Sequence, residues 1–383
     1  MKINLKNIAV YSLVLFCSLK TSIYSITYNN RTIIIKYIIF LILVVMGISF
    51  FVYKLKLNKV NLKSIFMTII SFLNKCPFVL GSLYGILINL VTNYFLLDKD
   101  TFLRKKAYKI LFNFLFILSL LSILEYLYYQ LGGNINFIIG TNYKINFGVC
   151  YFIGVFNSYL VNIETGNILN RLLSIYDEPG YFGTFLGIFI LFLKNDSRFK
   201  KIIIYLAGFL TLSTAFIYFF IMKIIIEGFE IKKILKSVFI LFIIINLSYF
   251  YSEKNITFRN NVVLKIERIV ENKNLNRLSK GESWKKIEEF KKNGNLLLGE
   301  RKSFENDGGL SIWMKIYEIG YLGVLIEILL FLNIARFFNL KNKKSKIFIL
   351  IALSSIFQRP NILDLTTLIC MYCAPTNYDE IVE

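Results

Sequence analysis

The run Arg171-Leu172-Leu173-Ser174-Ile175-Tyr176-Asp177-Glu178-Pro179-Gly180-Tyr181-Phe182-Gly183 gathers a guanidinium, a hydroxyl, a phenol and two carboxylates into one short stretch. Arginine's planar fork grips phosphate oxygens through paired, charge-assisted hydrogen bonds. A carboxylate beside it is the group type that takes a proton from an attacking hydroxyl. An almost uninterrupted apolar segment, Phe185 to Leu193, follows directly. Pro179 suits a first helical turn because its missing N–H is not needed there, and Asp177 or Glu178 can cap free backbone N–H groups. The run therefore reads as the mouth of a membrane helix, with polar groups held at the water boundary. A plain helix start also accounts for Asp177-Glu178-Pro179, and a snorkelling side chain for Arg171.

Further charges collect on the segments read as facing the same side. Arg268, Arg277, Lys280, Arg301, Glu305 and Asp307 lie in a later polar stretch, and Arg359 sits at the last outer tip. Guanidinium groups from separate outer loops, next to a carboxylate, suit an anionic lipid headgroup such as a polyprenyl diphosphate. Glu125, Glu318 and Glu327 lie in or at the ends of apolar spans, where ionisable residues are functional candidates by default. Ordinary solvation at the outer boundary accounts equally well for Glu125 and Glu318.

Composition narrows the chemistry further. The chain of 383 residues contains no histidine, which removes His-ligated zinc, Ser-His-Asp and Cys-His systems and histidine general bases together. Neither a metal nor a cofactor is expected. The five cysteines are scattered, and Cys370-Met371-Tyr372-Cys373 lies in an apolar helix without a second pair, so they read as buried small hydrophobes. The net charge of +21 sits mostly in short loops between spans, where the positive-inside rule puts it. No basic helix or aromatic platform accompanies it, so nucleic acid is not the expected partner.

The elements that must position these groups are helices. The chain is 56% hydrophobic with a mean hydropathy of +0.59. Apolar segments of roughly membrane-spanning length recur from end to end, and they are continuous rather than alternating, which argues against strands. The reading is an all-α, polytopic integral membrane protein of about 12 transmembrane helices. It forms a single membrane domain over 1–383, with no internal repeat and no linker. The first apolar segment, Ile8 to Tyr28, is interrupted by Lys20 and lacks a small-residue cleavage site, so it reads as a retained span. Lys2 and Lys6 place the N-terminus in the cytoplasm, and both termini are expected there.

A short helical pair, Ser64–Leu80 and Ser82–Leu97, either spans or is re-entrant. Ile110 to Tyr129 is a full span, and Ile202 to Ile226 is best counted as two short ones around Ser213-Thr214. Leu310 to Phe338 is a long span, followed by a final hairpin. Residues 131–178 form the first large outer loop, with a half-apolar middle at Phe147–Leu160 that dips into the interface. Residues 252–309 form the second, a helical extracytoplasmic cap. Its signals are the capping box Ser279-Lys280-Gly281-Glu282, the stripe Trp284, Ile287 and Phe290, and the stop Asn293-Gly294. An earlier stripe, Val263, Ile266, Ile269 and Val270, suggests a second amphipathic helix.

The run from Arg171 to Gly183 resembles the Arg-x-x-Ser-x-aromatic-x-Glu-Pro-x-x-x-Gly signature of bacterial O-antigen and capsular polysaccharide repeat-unit polymerases. That superfamily also holds the O-antigen ligases. Ser213-Thr214 after the next apolar run, Arg277 ahead of Trp284 and Gly299, and Tyr317-Glu318-Ile319-Gly320-Tyr321-Leu322-Gly323 opening the following span agree with it in order. The resemblance implies a glycosyltransferase on the outer face of the cytoplasmic membrane. It implies polyprenyl-diphosphate-linked oligosaccharides as donor and acceptor, and membrane lipid, a chain-length regulator and a flippase as partners. With that reaction, Glu178, then Asp177, is the candidate for the general base or for orienting the acceptor hydroxyl, and Arg171, Arg277, Arg301 and Arg359 are the candidates for the diphosphate. Tyr176, Ser174 and Trp284 are the candidates for positioning the acceptor. Ligases of the superfamily use a histidine near the end of the second loop, where this chain reads Asn306-Asp307-Gly308-Gly309; the polymerase is therefore favoured over ligase-type transfer. A transporter or flippase of lipid-linked oligosaccharides is the alternative, though the unlike halves and one-sided polar groups weigh against it.

Overall fold

The structure, a computed structural model, describes residues 5–19, 41, 47, 62–79, 92–97, 100–131, 133, 145–146, 149–153, 156–162, 168–176, 178–193, 197–227, 259, 282–302, 304, 312–357 and 364–374. In chain order these form α1 (Leu5–Leu19), α2 (Leu62–Val79), α3 (Thr101–Gln130), β1 (Ile145–Asn146), β2 (Val149–Ile153), β3 (Asn157–Asn162), β4 (Ile168–Leu172), α4 (Pro179–Ile190), α5 (Arg198–Leu210), α6 (Thr214–Glu227), α7 (Glu282–Asn293), α8 (Ile312–Ile334), α9 (Lys343–Ser354) and α10 (Leu365–Cys373). Helix dominates, as the apolar runs require. The Val263–Val270 stripe and the outer tip at Arg359 lie outside the described residues.

Two helices are long and apolar enough to cross a membrane: α3 over Thr101–Tyr129 with a hydropathy of 2.1, and α8 with 1.7. Both leave apolar residues outside. Ile117, Leu121, Leu124 and Tyr128 line one exposed face of α3, and Leu322, Leu325 and Leu329 one of α8. α2 does the same with Leu62, Phe66, Ile69 and Leu73. Stripes of this extent mark surfaces that meet a membrane or another protein.

The chain divides into two compact units, one of Phe112–Leu275 and one of Met1–Leu111 with Asn276–Glu383. The first contains a departure from the all-α expectation. Residues 145–172 fold into a four-stranded antiparallel meander in the order β1-β2-β3-β4, with Asn157 opposite Leu172 and Tyr159 opposite Asn170. The segment read as a half-apolar dip is thus a sheet. Its residues, Val149-Cys150-Tyr151-Phe152-Ile153 and Ser158-Tyr159-Leu160-Val161, are β-branched and aromatic strand formers. No alternation betrays them, because the first run is apolar throughout. α3 anchors the sheet: Glu125 Oε2 accepts from the Phe156 N–H at 2.6 Å and from Asn157 Nδ2 at 3.2 Å. Asn157 Nδ2 also donates to the Ser122 carbonyl.

α4 is buried on nearly all sides, with Phe182 through Ile190 inside. That pattern marks a central helix. α6 runs parallel to it, and glycines permit the approach. A Cβ on Gly183 would lie 2.3 Å from the Ser213 Cβ, and one on Gly187 2.5 Å from the Phe219 ring. Further along, the buried Lys223 Nζ donates to the carbonyls of Ile190 and Leu193 and so closes the C-terminal end of α4. α5 and α6 form the expected pair around residues 211–213, zipped by Phe209 against Phe216 and Phe220. With 12, 13 and 14 residues, α4, α5 and α6 rise roughly 18–21 Å each, short of the roughly 30 Å hydrocarbon thickness.

In the other unit, Arg104 is a buried framework residue rather than a solvated loop charge. Asp100 caps α3, its Oδ1 accepting from the N–H groups of Phe102 and Leu103, so Arg104 falls in the first turn and is fully buried. Its guanidinium donates to the carbonyls of Leu96 (3.2 Å), Ile334 (2.7 Å) and Tyr372 (3.1 Å) and lies 4.3 Å from the Tyr372 ring centroid. These carbonyls belong to a helical stretch at 92–97 and to the C-terminal ends of α8 and α10, where helix dipoles favour a cation.

α7 ends where the Asn293-Gly294 stop placed it, while Ser279 to Gly281 of the expected capping box lie outside the described residues. Ile287 and Phe290 are buried; Ile287 clusters with Phe304 and Met314, while Phe290 meets Tyr317 edge-on at 5.0 Å.

Candidate functional site

The Arg171–Gly183 run folds into a rigid corner. β4 ends at Leu172, and Ser174 then takes the left-handed conformation (φ 56°), rare for a residue with a side chain. The Phe156 carbonyl holds that turn, accepting from the N–H groups of Leu173 (3.3 Å) and Ser174 (2.8 Å). Since Glu125 fixes the Phe156 N–H, one carboxylate on α3 bears on the conformation of the corner through the backbone of a single residue. Strained backbone of this kind costs about 1–3 kcal/mol and persists only where its surroundings over-determine it.

Arg171 points from β4 to the α5–α6 turn. Nε donates to the Thr211 carbonyl at 3.0 Å and Nη2 to the Leu212 carbonyl at 3.1 Å. Leu212 is itself left-handed (φ 50°), so the guanidinium clamps a second strained turn. Gly183 lies against Ser213 in that turn. The separated sequence features Arg171, Gly183 and Ser213-Thr214 therefore meet in one place, and the arginine is half-buried as part of the framework.

Glu178 is the N-cap residue of α4, in extended conformation, and Pro179 is the first helical residue. The Glu178 side chain makes no capping hydrogen bond and is exposed. The helix start thus uses the proline but not the carboxylate. Tyr176, by contrast, is fully buried, its ring 5.4 Å from Tyr181, 5.6 Å from Phe182 and 5.9 Å from Phe185. Its ring builds the wall of the corner. Ser174 is fully buried too, and its Oγ has no hydrogen-bond partner among the described residues; the same holds for Asn157 Oδ1 and for both ends of the Asn170 amide. Buried polar atoms of this kind each carry a penalty of about 1–3 kcal/mol unless something fills their valence.

A second constellation, in the other unit, surrounds Arg301. α8, expected as one long span, is broken at Gly320 (φ 68°, ψ 177°). The break frees backbone groups, and residues 296–301 occupy them. Glu300 and Arg301 N–H donate to the carbonyls of Tyr317 (2.7 Å) and Glu318 (3.0 Å), while Tyr321 and Leu322 N–H donate to those of Leu296 (2.9 Å) and Leu297 (3.1 Å). Two glycines make the splice possible. A Cβ on Gly320 would stand 2.2 Å from the Leu297 carbonyl oxygen, and one on Gly299 2.5 Å from the Gly320 nitrogen. Arg301 is left-handed (φ 55°), and its Nη1 donates to the Asn74 carbonyl on α2 at 3.3 Å. Asn74 Nδ2 donates to the Gly323 carbonyl at 3.1 Å. Glu318 Oε1 accepts from the Phe304 N–H and Oε2 pairs with Lys315 at 3.1 Å, so this acid buttresses the loop.

Of the sequence candidates, Arg171, Ser174, Tyr176 and Glu178 come together at the corner, and Arg301 stands at the splice. Trp284 falls in the first turn of α7. Asp177, Arg277 and Arg359 lie outside the described residues. Among the described residues no group of three His, Cys, Asp or Glu side chains is placed to hold a metal ion. Asn74 and Phe156 escaped the sequence reading, since one is a lone amide in an apolar helix and the other acts through its backbone. Comparison with known proteins finds no matching family model, curated protein or solved structure.

Proposed function

We propose that the chain is a polytopic glycosyltransferase of the cytoplasmic membrane. In this reading it joins polyprenyl-diphosphate-linked oligosaccharide repeat units into O-antigen or capsular polysaccharide on the outer face. About 12 spans, both termini inside, and the 252–309 loop as an outer cap complete the reading. Its membrane part is supported by two helices of spanning length and by exposed apolar stripes on three helices.

The observation that carries the chemical part is the corner at 170–183. It presents an exposed carboxylate at a helix N-terminus, near in sequence to an arginine locked by two hydrogen bonds. The partnerless buried groups of Asn157, Asn170 and Ser174 suit a ligand rich in hydroxyls. In the reaction, an acceptor hydroxyl attacks the anomeric carbon of the donor glycan and gives its proton to Glu178. The new glycosidic C–O bond forms as the bond to the diphosphate oxygen breaks, and polyprenyl diphosphate leaves with the electron pair. Neutralising the departing charge falls to arginine, and the sequence candidates for that role are Arg171, Arg277, Arg301 and Arg359. No nucleotide is needed, because the donor is already activated.

The test uses the purified full chain in nanodiscs with a lipid-linked repeat unit as sole substrate. A ladder of products from the wild type, and at least a roughly 100-fold slower ladder from a folded Glu178→Gln protein, is expected for loss of a general base. Wild-type rates from Glu178→Gln would remove the assignment.

The break in α8 favours a second reading, since discontinuous helices line the substrate sites of many transporters. Here the freed backbone groups are taken by residues 296–301 rather than left open, which weighs against it. Lipid-linked repeat accumulating on the inner leaflet of a deletion strain would select the flippase; outward-facing, unpolymerised repeat would select the polymerase.

A further inference from the structure

We propose that the splice at Gly320 is the head of a lipid-binding track. A single lipid with a phosphate-bearing head and a long apolar chain would place its head at Arg301 and lay its chain down the outer face of α8. The chemistry of this ligand stands on the observations below; only its identity as a polyprenyl lipid rests on the function proposed above.

The head position is built rather than incidental. Backbone hydrogen bonds to Tyr317 and Glu318 fix residues 300 and 301, and the left-handed conformation of Arg301 sets where its side chain leaves the loop. One guanidinium nitrogen is tied to the Asn74 carbonyl, and Nε and Nη2 have no hydrogen-bond partner among the described residues. Lys302 follows, exposed. A half-buried guanidinium with donors to spare suits a phosphate oxygen.

The track begins at the same splice. Because Tyr321 and Leu322 bond the carbonyls of Leu296 and Leu297, the loop leucines abut the upper end of the second half of α8. Leu297 is 57% exposed and Leu298 44%, although the loop is pinned by Asn295 Oδ1, which accepts from both of their N–H groups at 3.1 Å. Below them Tyr321, Leu322, Leu325 and Leu329 continue the exposed apolar surface down one face of α8. From Tyr321 to Leu329 the helix rises about 12 Å, the reach of a substantial part of one lipid chain. The exposed stripe of α2 faces lipid as well, but what sets the α8 stripe apart is a fixed arginine at its head. Asn74 is the positioning residue. Its carbonyl holds the guanidinium while its amide holds Gly323 on α8, so it sets the spacing between head site and track.

The test uses the full chain in nanodiscs with a photoreactive diazirine polyprenyl phosphate as probe, phosphatidylglycerol as competitor, and mass spectrometry to locate the labelled peptides. Saturable labelling within 297–329 is expected, weakened about tenfold in Arg301→Ala, the effect of losing one charge-assisted contact. Asn74→Leu should raise the half-saturating probe concentration while leaving maximal labelling unchanged, a split that simple misfolding would not produce. Competition by phosphatidylglycerol with the same dependence on Arg301 supports the track and assigns its occupant to bilayer phospholipid. Labelling that does not saturate, that ignores Arg301→Ala, or that falls equally on 62–73 overturns it in favour of bulk lipid. The two proposals fail separately. A chain that binds the probe but builds no polymer loses the function and keeps the track; polymer with Arg301-independent labelling does the reverse.

Discussion

Replacing Arg171 with lysine separates two roles that the geometry superimposes on one side chain. The guanidinium uses Nε and Nη2 to hold the carbonyls of Thr211 and Leu212, and lysine, with a single ammonium, retains at best one of those bonds. Losing one hydrogen bond from a charged donor to a buried carbonyl costs about 1.5–3 kcal/mol. For a unit of this size each kcal/mol lowers the unfolding midpoint by about 2–4 °C, so a fall of roughly 3–12 °C is expected. It is read by heating the detergent-solubilised protein and following its monodisperse fraction by fluorescence-detected size exclusion. If the same arginine also steadies the leaving diphosphate, turnover per folded molecule drops by a further factor of roughly 10 to 150, the same interaction energy expressed as a rate. An unchanged midpoint would refute the clamp on the α5–α6 turn. A lowered midpoint with wild-type turnover per folded molecule would refute the phosphate role and leave a framework residue.

Two further substitutions probe the other unit. Gly320→Ala combines a backbone conformation open essentially to glycine with a Cβ 2.2 Å from a carbonyl oxygen, so a loss above about 3 kcal/mol and little folded protein are expected. A wild-type unfolding midpoint for Gly320→Ala would show that the splice does not form. Arg104→Met removes the guanidinium to which the carbonyls of Leu96, Ile334 and Tyr372 converge, and breaking a buried charged network costs about 3–5 kcal/mol. Arg104→Lys should recover part of that loss in the same melting assay, and equal melting of all three proteins would dismiss the hub.

Patterns that operate over a few residues were legible before any coordinates. The apolar runs dictated helices; the start of α4 at Pro179 and the stop of α7 at Asn293-Gly294 follow from helix-end chemistry, and the division of α5 from α6 beside Ser213-Thr214 was read from keeping the basic loops on one side. Each helix end is local, because a cap or a turn is decided by its immediate neighbours.

Partnerships across the chain depended on the tertiary structure. Nothing local says that Arg104 leaves the row of inner charges to collect helix ends, or that Glu125 holds a sheet through the Phe156 amide. The sheet itself was hidden because the run Val149-Cys150-Tyr151-Phe152-Ile153 is apolar throughout and so lacks the period-2 alternation by which strands are recognised. Nothing local says that three aromatic neighbours enclose the Tyr176 ring. The break at Gly320 lies in a run hydrophobic enough for an unbroken span, and only residues 296–301, bonding to its freed backbone groups, make it affordable. Hydropathy determines that these segments become helices in an apolar setting. Which polar atoms meet there depends on hydrogen bonds between residues tens to hundreds of positions apart, a separation that composition and periodicity do not encode.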